Sequence, residues 1–166
     1  MRDEMNEAWK VAGRSARWFA KNYPVIASFG ALASVQRFVA VRGVRGGAWA
    51  AGVTGELLTA AARIGLSVWC ARTVFADCPV PLRDVPGRVW RHGRSHPGEV
   101  AAGAALLAGL TVVSKVIPDV AIAQLDEASR RRASAWELAV KNVTVIPFTT
   151  VWMVIGMRHA VDQARP

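Results

Sequence analysis

The sequence predicts an all-α integral membrane protein: four transmembrane helices arranged as two helical hairpins, with an N-terminal amphipathic helix on the membrane surface. Three observations predict it. Four apolar stretches each approach the ~20 residues that an α-helix needs to cross ~30 Å of hydrocarbon. Tryptophans stand at their ends, where the indole ring suits the boundary between headgroups and acyl chains. Basic residues divide twelve against five between the two sides that four crossings define.

Residues 1–22 come first. Met5, Ala8, Trp9, Ala12, Ala16 and Phe19 recur there at helical spacing, while Lys10, Arg14, Arg17 and Lys21 fall on the other faces. A helix of this pattern lies in the interface, and its expected lipid-surface contacts are Lys10, Arg14, Arg17 and Lys21 with Trp9 and Trp18. Span one, Tyr23–Val41, opens at the breakers Asn22 and Pro24. The run Arg42–Gly47 reads as a tight external turn. Span two, Ala48–Ala71, has Trp49 and Trp69 at its ends and completes a first hairpin over 23–75.

Residues 76–99 read as a basic cytoplasmic loop, with prolines and glycines that allow only a short turn of interfacial helix around Arg88–Arg91. Span three, Val100–Pro118, follows Pro97-Gly98. Span four, Leu138–Met157, follows Trp136 and closes a second hairpin over 100–157; residues 158–166 form a tail. The richer basic side is cytoplasmic, so both termini and the 76–99 loop face inward from the cell membrane. Ala31–Ala33 reads ALA, like a signal-peptidase site, but that leader would carry Asp3, Glu4 and Glu7, and span one is expected to be retained.

Composition narrows the function classes. The chain has 166 residues, 52% of them hydrophobic and 20% charged, with a net charge of +9. Such a charge calls for an acidic partner, and beside apolar spans that partner is the anionic lipid headgroup rather than nucleic acid. A soluble basic helical bundle is the competing expectation, because every stretch contains an ionisable residue. Cys70 and Cys78 match no zinc or redox spacing. No phosphate-binding glycine loop, G-x-S-x-G or H-E-x-x-H occurs, so no catalytic residue, cofactor or metal is expected. His92 and His96 are four apart, but Gly93 and Pro97 argue against a helix there. Solvated loop histidines are expected, with zinc binding as the alternative.

The chemistry that remains is a set of charges within the spans: Arg63, Glu56, Arg37, Lys115, Asp119, Glu137 and Lys141. On the predicted topology they collect in the outer half. Arg63 is the deepest, and an unpaired charge at such a depth costs about 3 to about 10 kcal/mol. Burial in the bundle is therefore expected, with Glu56, Asp119 or Glu137 as partner. Gly47, Ala51, Gly55, Thr59 and Arg63 follow one another at i+4 and form a small-residue ridge. Ala27–Ala31 and Gly30–Ser34 offer similar pairs on span one, and Ala105–Gly109 on span three. Pro147 removes the hydrogen bond to the carbonyl of Val143.

WKVAGRS at Trp9–Ser15 recurs as WRHGRS at Trp90–Ser95, and looser echoes link Arg37 with Lys115 and Trp69 with Trp152. Each half reads as a basic lead-in followed by a hairpin, an arrangement that duplication would produce. The function expected is association: an accessory subunit, assembly factor or scaffold that binds other membrane proteins or further copies of itself. An oligomeric transporter or pore former is the alternative.

Overall fold

In a computed structural model that describes residues 2–42 and 47–164, the chain is helical throughout its regular structure, with no strand among the described residues. The expected turn at Arg42–Gly47 and the basic Arg165 lie largely or wholly outside them. In order the helices are α1 (Arg2–Lys21), α2 (Tyr23–Arg42), α3 (Ala48–Ala51), α4 (Val53–Val74), α5 (Val85–Ser95), α6 (Pro97–Thr111), α7 (Ile117–Ala123), α8 (Glu127–Val143) and α9 (Val145–Gln163).

Local chemistry explains where they begin and end. Asp3 and Glu4 in the first turn of α1 and Lys21 in its last match the helix dipole. Asn22 then breaks the run, and its carbonyl accepts from the N–H groups of Val25 and Ile26 at 3.1 Å. Pro86 sits in the first turn of α5, where a proline loses no hydrogen bond. Pro118 lacks the N–H that would bond four residues back, to Ser114, and the backbone between α6 and α7 widens into a π-helical turn over Val112–Val116. Asp126 caps α8 by accepting from the Ser129 N–H at 3.1 Å. α8 ends at Val143 with Thr144 as its C-cap, three residues before Pro147.

The chain divides into two compact units. One comprises Met1–Lys21, Ser67–Gly109 and Phe148–Pro166; the other comprises Asn22–Leu66 and Leu110–Pro147. The first holds an aromatic cluster in which Trp18 lies 5.5 Å from Trp69, Phe19 5.6 Å from Phe148, and Phe148 5.9 Å from Trp152, measured between ring centroids. α1 turns Ala8, Val11 and Ser15 inward. In the second unit α2 packs along α8. A Cβ added to Gly30 would lie 2.8 Å from the Val143 Cα, so glycine is needed for this approach. One turn on, Ser34 Oγ donates to the Ala139 carbonyl at 2.7 Å. These two residues let the helix backbones meet and satisfy a carbonyl at the seam.

Three helical stretches are long and apolar enough to cross a membrane: Tyr23–Val41, Pro97–Ala123 and Glu127–Gln163. They correspond to spans one, three and four. The expected second span is the exception. α4 has the length, at 22 residues, but Glu56, Arg63 and several Ala, Thr and Gly residues dilute its apolar character. The short loop helix expected near Arg88–Arg91 is also corrected: α5 runs for 11 residues and includes both Gly87 and Gly93.

Candidate functional site: a histidine-lined apolar cavity

The charges singled out within the spans separate into groups. Lys115 and Asp119 face each other across one turn at 3.8 Å, and Lys141 lies 4.0 Å from Asp119 while also pairing with Glu137. These four form one network in the second unit. Arg37 pairs with Glu56 at 2.8 Å. Glu56 was the first of three partners expected for Arg63, but its carboxylate is held by Arg37. Arg63 is exposed on α4, and it borders a narrow crevice with Asn142 and Pro147. The expected burial of Arg63 is thereby corrected.

The same unit buries a polar group that the sequence reading passed over. Gln36 is fully buried; its Nε2 donates to the Ala50 carbonyl, and its Oε1 accepts from Thr59 Oγ1 at 2.9 Å. The expected small-residue ridge is interrupted at Gly52, between α3 and α4; its members Gly55 and Thr59 on α4 meet α2 through this glutamine. No charge marks Gln36 in the sequence, which is why the adjacent Arg37 drew attention instead.

On α1 the inward face is Ala8, Val11 and Ser15, so Trp9 points outward and is 60% exposed. It shares a shallow surface groove with Lys10, Arg14 and Arg17. Trp18, expected at the lipid surface, instead packs against Trp69. On α5, Trp90 is also exposed, with the Arg94 guanidinium 5.1 Å from its ring.

An apolar-walled space lies within the first unit. A cavity of about 360 Å³ opens among α1, α5, α6 and α9, with apolar walls that include Val89, Val100, Leu107, Trp152 and Met153. Its polar end is formed by Glu7, His92, Glu99 and His159. His92 Nε2 lies 3.2 Å from Glu99 Oε2, and the His92 ring stacks on that of His96 at 4.4 Å. His159 is 9% exposed; Arg14 donates to its Nδ1 at 3.1 Å, and its ring lies 6.2 Å from that of His92. The remaining His159 nitrogen, Nε2, is buried without a hydrogen-bond partner; Glu99 Oε2 is 3.9 Å away, beyond bonding reach. Lys10, hydrogen-bonded to Glu7 at 2.6 Å, holds that carboxyl below its ordinary range and keeps it anionic.

The expectation of solvated loop histidines is therefore corrected for His92, whereas His96 is exposed between α5 and α6 as expected. His92 is buried near the end of α5, because Gly93 is tolerated inside the helix and Pro97 begins the next one instead of breaking this one. The zinc alternative gains nothing: among the described residues no group of three His, Cys, Asp or Glu side chains is placed to hold a metal ion. The i, i+4 spacing of His92 and His96 was a legible signal, whereas the approach of His159 was not, since it comes from a segment over sixty residues away. No known family model matches the chain, and no curated protein and no solved structure is significantly similar to it.

Proposed function

We propose that this protein is a multi-span component of the cell membrane that works by association with other membrane polypeptides, as an accessory subunit, assembly factor or scaffold, and not by catalysis. In this reading α4 is the second of four crossings. Both termini and the 76–99 segment then face the cytoplasm, where α1 and α5 rest on anionic headgroups with Trp9 and Trp90 turned outward.

The observation that carries the proposal is the Lys115–Asp119 pair. Its side chains are 68% and 50% exposed, on a helical rod, Pro97–Ala123, of whose apolar window 6% is buried. Lipid tails cover apolar surface without assistance, but a charge among them costs about 3 kcal/mol at the centre of a span and less towards its end, where Lys115 and Asp119 stand. A charged patch on a rod otherwise suited to lipid is therefore a place for another polypeptide to cover. Behind this exposed pair, the largely covered Lys141 and Glu137 complete a network that carries both signs equally. A second copy of the chain, related by a two-fold axis, presents the complementary arrangement.

Co-expression of tagged and untagged copies, followed by extraction in mild detergent, tests this. The untagged copy should be retained, and Lys115→Leu with Asp119→Leu should reduce its retention at least tenfold. Retention of a different membrane protein, lost in the same double variant, would support association with a foreign partner. A protein that purifies alone, or whose partner ignores the double variant, contradicts the proposal.

A further inference from the structure

We infer that the cavity among α1, α5, α6 and α9 is a binding site for a neutral, hydroxyl-headed lipid. The inference requires neither the association proposed above nor any particular partner. It starts from a proton. A guanidinium can only donate, so the Nδ1 of His159 that meets Arg14 must offer its lone pair. In the neutral ring the proton then sits on Nε2, which is buried and has no partner, on a residue that lines the cavity. The site thus holds a fixed donor aimed at an absent acceptor, and an unmade bond of this kind is costly in the interior.

Opposite it stands an acceptor. Glu99 Oε2 is 3.9 Å from His159 Nε2 and also meets His92. A carboxylate has about four lone-pair sites, so accepting from His92 leaves it free to accept again. One oxygen seated to the side of the line joining the two groups, about 2 Å off it, reaches both at ordinary hydrogen-bond lengths of roughly 2.8–3.0 Å. It would accept from His159 and donate to Glu99, as a hydroxyl does. A carbonyl or ether satisfies only the first half.

The rest of the cavity fixes the remainder of the ligand. At about 360 Å³ it offers some twelve times the ~30 Å³ that a water molecule occupies, and walls such as Val100, Leu107 and Met153 give water nothing to bond. An alkyl chain suits them. The headgroup should be uncharged: Glu7 and Glu99 repel an anion while Arg14, on the Nδ1 side of the histidine ring, does not line the cavity, and an ammonium has no lone pair to accept from His159. A fatty acid anion is disfavoured on the same ground.

The test uses the full-length protein in lipid nanodiscs and 1-dodecanol carrying a diazirine on its chain. Photolabelling should fall on the walls at 103–107 and 152–160, and unlabelled 1-dodecanol should compete for it. Dodecanoate at pH 8 and dodecane should compete at least tenfold less well. His159→Phe, which removes the donor, should weaken competition by dodecanol about tenfold, and His159→Gln, which restores an N–H in place, should recover most of it. Gly156→Leu projects a side chain into the space, since nothing lies within 4 Å of a Cβ there, and should abolish labelling; Gly103→Leu does the same from another wall should that variant fail to fold. Labelling spread evenly over lipid-facing helices, equal competition by dodecane or dodecanoate, or full binding by His159→Phe would overturn the assignment.

Discussion

At the scale of single residues, burial and not formal charge decides what a side chain contributes. Arg37 and Glu56 form an ion pair whose side chains are 32% and 56% exposed. Such a pair is screened and contributes ~1 kcal/mol or less where solvent reaches it. Gln36, its neighbour in sequence, has no exposed surface and holds Thr59 and the Ala50 carbonyl together. Replacing it by leucine leaves both groups unsatisfied, at roughly 1–3 kcal/mol each. Thermal unfolding in detergent should therefore show Gln36→Leu as clearly less stable than Arg37→Leu. If Arg37→Leu is the more damaging, the glutamine bridge is not the hinge of that contact. Charges announce themselves in a sequence, and all seven within the spans were legible as a set. Their pairing was not, because it depends on which helix faces meet. Arg63 shows this most plainly, being exposed where burial was expected.

At the scale of elements, periodicity and punctuation carried most of the helices. Span one, the helix before it and the break between them at Asn22 were all readable, since breakers and apolar runs act locally. α5 was not, because the glycines counted against it are overcome by packing: Val85 and His92 are both buried. The π-helical turn before Pro118 follows from a missing donor, but its position depends on a backbone adjustment that no residue pattern displays. α1 offers a direct check on its expected role. Its basic residues Lys10, Arg17 and Lys21 remain exposed with Trp9. A peptide of residues 1–21 should gain helicity on anionic vesicles and lose it as salt rises, because these charges are screened over ~10 Å at 0.1 M. Equal helicity on neutral vesicles would show that its anchoring is not electrostatic.

At the scale of the whole molecule, the central claim is that α4 crosses the membrane and so sets both termini on the cytoplasmic side. Length, tryptophan placement and the twelve-to-five division of basic residues support the crossing, while Glu56 and Arg63 keep α4 outside the three stretches apolar enough to qualify by composition. The two possibilities make opposite statements about the same two positions. If α4 crosses, Gly87 is cytoplasmic and Ser129 external; if it does not, the segment after it stays outside and the next crossing returns Ser129 to the cytoplasm. Both residues lie in described, charged stretches at or near the surface of their units, with Gly87 and Ser129 exposed. The decisive measurement is labelling of intact cells with a membrane-impermeant thiol reagent, with Cys70 and Cys78 replaced and single cysteines introduced as Gly87→Cys and Ser129→Cys. Four crossings predict that Ser129→Cys is labelled and Gly87→Cys becomes reactive only after the cells are broken open. Labelling of Gly87→Cys on intact cells, with Ser129→Cys protected, would contradict the account.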